Sequence, residues 1–322
     1  MSDHIIDRHL RRDVAHVLRN VPGVAVVLVL MIALFAATSP GFATPSNLTN
    51  VLLQSVILLL IALPMTFIIM TEGIDLSVGA MLTLLTIVYA MIILATGSIP
   101  IALGATIAAG IAFGLVNGWF IAGLGIPPFV VTLGTLGVGQ GLSLILTDGQ
   151  SIVSLPREVQ FAYSGFLIGI PVPILIAAIC YAAMYFLLYH TRFGIYIPAL
   201  GGNREALRQA GVNDKMALIG VYVLGGAMVA IAALVLCGRM NAAHPTAALG
   251  MEFDAIAAVA VGGTQFERGN GGLFGTLLGV VAIGILRNGL NLMNVPSSVQ
   301  VACVGGLVIF ALLIDGLRSR FQ

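Results

Sequence analysis

TRFGIYIPALGGNREALRQAGVNDK, residues 191–215, is the longest charge-containing interruption between two runs apolar enough to span a membrane. It holds Arg192, Arg204, Glu205, Arg208, Asp214 and the chain's one lysine, Lys215. Within it, NREALRQAG reads as a short helix. Asn203 is a suitable N-cap, because its side-chain oxygen can accept a bond from a free first-turn N–H. Glu205 falls near the positive end of the helix dipole and Arg208 near the negative end, the arrangement that dipole favours. Gly211 can take the left-handed conformation that closes a helix. A self-contained helix between two spans is what a membrane subunit needs to receive a mechanical push from a soluble partner. An ordinary solvated loop is the alternative, and these residues alone leave both open.

The flanking runs set the fold class. The chain of 322 residues is 59% hydrophobic and 8% charged, with a mean hydropathy of +1.08. A soluble domain carries about 25% charged residues. Here 14 basic and 13 acidic side chains cannot cover a water-facing surface, so the outside of the protein must face membrane lipid. The 39 glycines agree, since small residues let membrane helices approach closely. Net charge +1 and a pI near 7.8 argue against a nucleic-acid partner. Cys180, Cys237 and Cys303 lie far apart in apolar runs and read as core residues, not as a disulfide framework or metal set.

A span needs roughly 20 mostly apolar residues. Candidates lie at about 21–38, 48–70, 77–96, 99–122, 126–147, 165–190, 216–238, 254–266, 272–290 and 299–316. The expected fold is therefore all-α and polytopic, with about ten transmembrane helices in one domain over 21–316. A polar tail, 1–20, precedes it and a short tail, 317–322, follows. No cleavable signal peptide is evident, and 21–38 reads as the first span. The eighth candidate is too short to cross as a regular helix, so it is expected to be tilted, broken or re-entrant. Ten spans put both termini on one side. With that side cytoplasmic, the inner segments hold eleven basic residues and the outer ones only Arg157, Arg239 and Arg287, as the positive-inside rule requires. The 191–215 loop then faces the cytoplasm. The segments 147–165 and 239–253, with Asp148, Glu158, Arg239, His244 and Glu252, face outward, suited to an outside partner or serving as solvated connectors.

Two stretches stand out from their apolar surroundings. TEGIDLSVGA (71–80) places ionisable groups beside hydrocarbon, where they are costly and often functional; Asp75 can also cap the helix that begins near residue 76, with Glu72 at the membrane interface. AVAVGGTQFERGNGGLFGTLLG (258–279) is glycine-dense, fit for close packing or for a hinge. Polar residues within spans are Asn117, Thr132, Thr135, Gln140, Asn288 and Asn291. Uncharged groups along a path suit a neutral polyhydroxyl solute, and the same groups serve as glue between helices. No GxxxxGK[ST] loop, HExxH, CxxC or catalytic triad appears. The expectation is that no metal or catalytic residue is held, and that any ATP used in transport is hydrolysed elsewhere.

EGIDLSVGA at 72–80, GLVNGWFIAGLGIPPFVVTLGTL at 114–136, ALGGNREALRQAGVN at 199–213 and AVAVGGTQFERGNGGLFGTLLGVVAIGILRNGLNLM at 258–293 together resemble the permease subunit of bacterial carbohydrate-uptake ABC importers. The resemblance runs from about residue 45 to 316, in the family's order and spacing. It implies an inner-membrane permease that pairs with a second copy or paralogue, with the translocation path at their interface. It also implies separate ABC ATPase subunits, which bind the ATP and Mg2+, and a periplasmic sugar-binding protein outside. By similarity, Gly201, Gly202, Asn203, Arg204, Glu205 and Ala206, with Arg208 beside them, form the ATPase-coupling segment. Gly73, Asp75, Leu76 and Ser77 fall on the GIDLS signature, and Asn117 and Gly118 on an NG motif. The chain departs from the pattern at Glu72, where a glycine or small residue is usual, at Gln265, Phe266, Glu267 and Arg268, and at Leu207. A permease for nucleosides or another small solute, and a secondary transporter, are the competing expectations.

Overall fold

Crossing lipid requires a segment that satisfies its own backbone hydrogen bonds, which an apolar helix of about 20 residues does. The computed structural model describes residues 23–266 and 269–320. The expectations for the tail 1–20, for Glu267 and Arg268, and for residues 321–322 lie outside the described residues. In chain order the elements are α1 (Gly23–Thr38), α2 (Pro45–Met70), α3 (Val78–Thr96) and α4 (Ile99–Gly118), which continues as a π-helical turn, Trp119–Gly123. Then come α5 (Pro128–Thr147), α6 (Arg157–Ser164), β1 (Phe166–Leu167), β2 (Ile170–Pro171), α7 (Val172–His190), α8 (Arg192–Gly202) and α9 (Arg204–Gln209). The chain closes with α10 (Asp214–Met240), α11 (Met251–Val261), α12 (Leu273–Leu292) and α13 (Ser297–Arg320). Seven of the described helices, α2, α3, α4, α5, α7, α10 and α12, are long and apolar enough to cross a membrane. With α1, α11 and α13 they account for the ten apolar segments of the sequence. The fold is an all-α polytopic membrane bundle.

The centre of the bundle is the stretch 55–70 of α2, buried on every face, with Leu60, Ile61, Leu63, Met65 and Phe67 fully enclosed. Lipid is as apolar as leucine, so close packing rather than water exclusion must join the helices. The contact of α4 with α10 shows how. Gly110, Gly114 and Gly118 recur every fourth residue on one face of α4 and abut Gly226, Tyr222 and Ile219 of α10. A Cβ at Gly114 would stand 2.8 Å from the Tyr222 carbonyl carbon. Elsewhere polar pairs join helices: Thr66 and Thr276 share a hydroxyl bond of 2.6 Å, and Asn47 and Asn288 exchange two amide bonds of 2.9 Å. By contrast α5 shows its surroundings Leu133, Val138 and Ile145.

Three sequence expectations need correction. The sixth span, read from 165, begins at Val172, because residues 166–171 form a hairpin turned by Ile168 and Gly169, both at positive φ. The short helix α6 was not foreseen; its Val159 and Ala162 lie against Gly238 of α10. The segment 239–253 is not a solvated connector throughout. From the end of α10 it re-enters the bundle, burying Ala242, Ala243, Ala248 and Glu252. Irregular backbone at that depth needs partners. Ala243 and Ile152 exchange backbone bonds of 2.8 and 2.9 Å, the Gln140 amide donates to the Pro245 carbonyl at 2.8 Å, and the Ala248 N–H donates to Thr83 Oγ1 at 3.1 Å. α11 therefore starts partway through the bundle. Its 11 residues rise about 16 Å, half a hydrocarbon core, as the shortness of the eighth segment requires.

Candidate functional site

At one end of the bundle, residues 191–215 build two helices where the sequence indicated one. Thr191 starts α8, its hydroxyl accepting from the Gly194 N–H at 3.3 Å and donating to the Leu187 carbonyl at 2.6 Å. The glycine pair and Pro198 disguise this helix in the sequence. Gly201 is buried against the Met70 carbonyl at the end of α2, and a Cβ there would meet Gly269 backbone at 3.2 Å. Gly202 is exposed. Asn203 then turns the chain and caps α9, its Oδ1 accepting from the Ala206 N–H at 2.9 Å. Glu205 lies in the first turn, Arg208 in the last, and Gly211 is left-handed at φ 77°, as the residue pattern indicates. Leu207 is buried and pins α9 to the core.

The clamp that holds α9 is Asp214, the first residue of α10. Its Oδ2 accepts from Arg204 Nε at 2.5 Å and from Arg208 Nη2 at 3.0 Å. The hydrogen bond to Asp214, and then its charge, push the Arg208 guanidinium further up from its usual pKa. Asp214 is visible in the sequence but this role is not, because its spacing of six from Arg208 crosses a turn, which hides the pairing. This knuckle, residues 191–215, is thus tied through Gly201 to α2 and through Asp214 to α10, while Asn203, Glu205, Ala206 and Arg208 remain exposed.

The signature Gly73–Ser77 forms a second, buried cluster. Asp75 Oδ1 accepts from the Ser77 N–H at 2.8 Å and the Ser77 hydroxyl at 2.5 Å. Asp75 therefore fixes the turn before α3 rather than capping its first turn. Asn117 donates to Ser77 Oγ at 3.0 Å, and Thr132 donates to the Ile74 carbonyl at 3.1 Å. Gly73 lies under the Tyr222 hydroxyl, where a Cβ would be 2.8 Å away; Leu76 is half-buried. Glu72 is exposed and left-handed at φ 61°, which explains why a glycine suits that position.

The six polar residues read as a possible path do not form one line. Asn117 and Thr132 belong to the Asp75 cluster, and Thr135 bonds only the Thr132 carbonyl. Gln140 holds Pro245, and Asn288 holds Asn47. Asn291 faces open space. That space is a cavity of about 780 Å3 at the end opposite the knuckle, between α2, α11, α12 and α13. It contains what the sequence missed. Arg287, assigned to an outer segment, lies within α12 and donates through Nη2 to both Asp254 oxygens, at 2.7 and 2.6 Å. The two are 33 positions apart, and no spacing rule links them.

The family described as "Branched-chain amino acid transport system / permease component" matches residues 47–312. The chain belongs to this permease family. The permease is similar to the ribose import permease protein of Escherichia coli K12, 37% identical over 298 residues that cover 91% of this chain and 93% of that one. It is 35% identical over 301 residues to the D-allose transport system permease protein of the same organism, covering 92% of each. It is 32% identical over 301 residues to the L-arabinose ABC transporter permease protein of Azospirillum brasilense, covering 94% and 89%. No solved structure matches the permease.

Proposed function

We propose that this chain is the membrane subunit of an ATP-driven importer for a monosaccharide or a related polyhydroxyl solute. The observation that carries the reading is similarity over nine-tenths of the chain to permeases named for ribose and allose. The reading places it in the bacterial inner membrane, with both termini and the knuckle in the cytoplasm. Separate ABC ATPase subunits bind ATP and Mg2+, a second permease copy or paralogue pairs with it, and a periplasmic sugar-binding protein delivers solute. Gly201, Gly202, Asn203, Arg204, Glu205, Ala206 and Arg208 receive the push of the ATPase. The double tie to α2 and α10 supports this role, because a displaced knuckle must drag the two longest helices with it.

The test is uptake by inverted and right-side-out vesicles carrying the permease with its ATPase and binding protein. ATP-dependent accumulation of labelled D-ribose, D-allose or L-arabinose is expected. Accumulation that persists without ATPase would replace this reading with a secondary transporter. The family description favours a second solute class: uptake of leucine in place of every sugar would move the assignment there.

A further inference from the structure

Resting on that reading, we propose that the cavity between α2, α11, α12 and α13 is a binding site for a neutral polyhydroxylated solute, with Arg287 and Asp254 as its recognition pair. Its volume of about 780 Å3 lies within the ~300–1,000 Å3 of small-molecule pockets. Its chemistry is mixed in the way a sugar's is. Leu58, Ile283 and Val304 supply apolar wall for C–H faces, and Gln54, Asn291 and Gln300 supply amides for hydroxyls.

The ion pair decides the charge of the ligand. Asp254 accepts from Nη2 of Arg287, and the Arg287 side chain is 37% exposed where it lines the cavity, so guanidinium N–H groups not given to Asp254 can meet an acceptor there. An anion would compete with Asp254 for Arg287, and a cation would compete with Arg287 for Asp254. A hydroxyl does neither: its oxygen accepts from the guanidinium while its proton goes to a carboxylate lone pair. Adjacent hydroxyls can engage the pair together without breaking it. Beside them, Gln300 Nε2 donates to Asn291 Oδ1 at 2.8 Å and to the Val295 carbonyl at 2.9 Å, which turns the Asn291 amide so that its own N–H groups are free to donate. Arg239 also lines the cavity, with its guanidinium 5.9 Å from the Tyr163 ring centroid, so an anionic sugar is the competitor to exclude.

Two measurements on the full transport complex in vesicles test the site. The double variant Asp254→Asn/Arg287→Gln removes both charges, so neither is stranded in the bundle. Its ATP-driven uptake of D-ribose is expected to fall roughly tenfold or more, with ATPase co-purification unchanged. In the second, Asn291→Cys on a Cys303→Ser background is labelled by an impermeant maleimide; D-ribose is expected to slow labelling and ribose 5-phosphate to leave it unchanged. Wild-type uptake by the double variant, labelling indifferent to D-ribose, or stronger protection by the phosphate would each overturn the assignment. Should the wild-type complex assemble but import no sugar, the transport reading itself fails and takes the site with it.

Discussion

The two ends of the bundle treat their charges in opposite ways. At the knuckle, Arg204 and Arg208 converge on one oxygen of Asp214 and keep exposed side chains. In the cavity, Arg287 reaches both oxygens of Asp254 through Nη2 alone and lines the wall of an open space. Two cations gathered on one carboxylate make a cross-link between helices, fit to transmit a displacement. An ion pair at a cavity wall makes a receptive part, fit to take a ligand. Between them run α2 and α10, touched by both ends: Met70 and Asp214 meet the knuckle, while Leu58 and Arg239 line the cavity.

The largest break in this comparison is expected from Glu205→Arg. It reverses the charge that α9 presents beside Arg204 and Arg208, so an ATPase surface complementary to Glu205 would meet a like charge, which costs several kcal/mol. ATPase co-purification should fall by about a hundredfold or more, while sugar protection of the cavity cysteine persists. Retained co-purification at full stoichiometry would remove the knuckle from the coupling role. Next is Gly201→Leu, whose side chain has only Met70 and Gly269 backbone to displace. A loss of about 1–3 kcal/mol is expected, read as a lowered thermal midpoint of the purified permease; an unchanged midpoint would show that α8 is not seated on α2. Asp214→Ala releases both arginines, which are 40% and 49% exposed, so stability should drop by no more than about 1 kcal/mol. The sharper readout is the ratio of ATP hydrolysed to sugar imported, which should rise as the knuckle slips. The smallest effect is a gain: Glu72→Gly relieves a left-handed residue and should stabilise by about 0.5–1 kcal/mol.

The sequence made the knuckle legible and the cavity obscure, for physical reasons. Helix capping is local: Asn203, Ala206 and Gly211 lie within one short helix, and their chemistry can be read in a row. The long spans were equally legible, because lipid imposes a minimum apolar length on each. What escaped was decided by tertiary partners. HisProThr at 244–246 looks like an outer turn, yet its backbone is satisfied by Gln140 from another helix. Arg287 looks like a helix-end charge until Asp254, on a helix half the usual length, is brought beside it. Helix α8 was hidden by residues that usually break helices, and Thr191 and the buried Gly201 contact outweigh that propensity.

The strap at 242–250 has a consequence for motion. It is stitched to α3 through Thr83, to α5 through Gln140 and to the 152 segment through Ala243. Hydrogen bonds weaken within a few tenths of an ångström, so α3 and α5 cannot slide past one another by even one residue without unpicking that seam. Isotope exchange at the Ala248 amide would report how readily that seam opens.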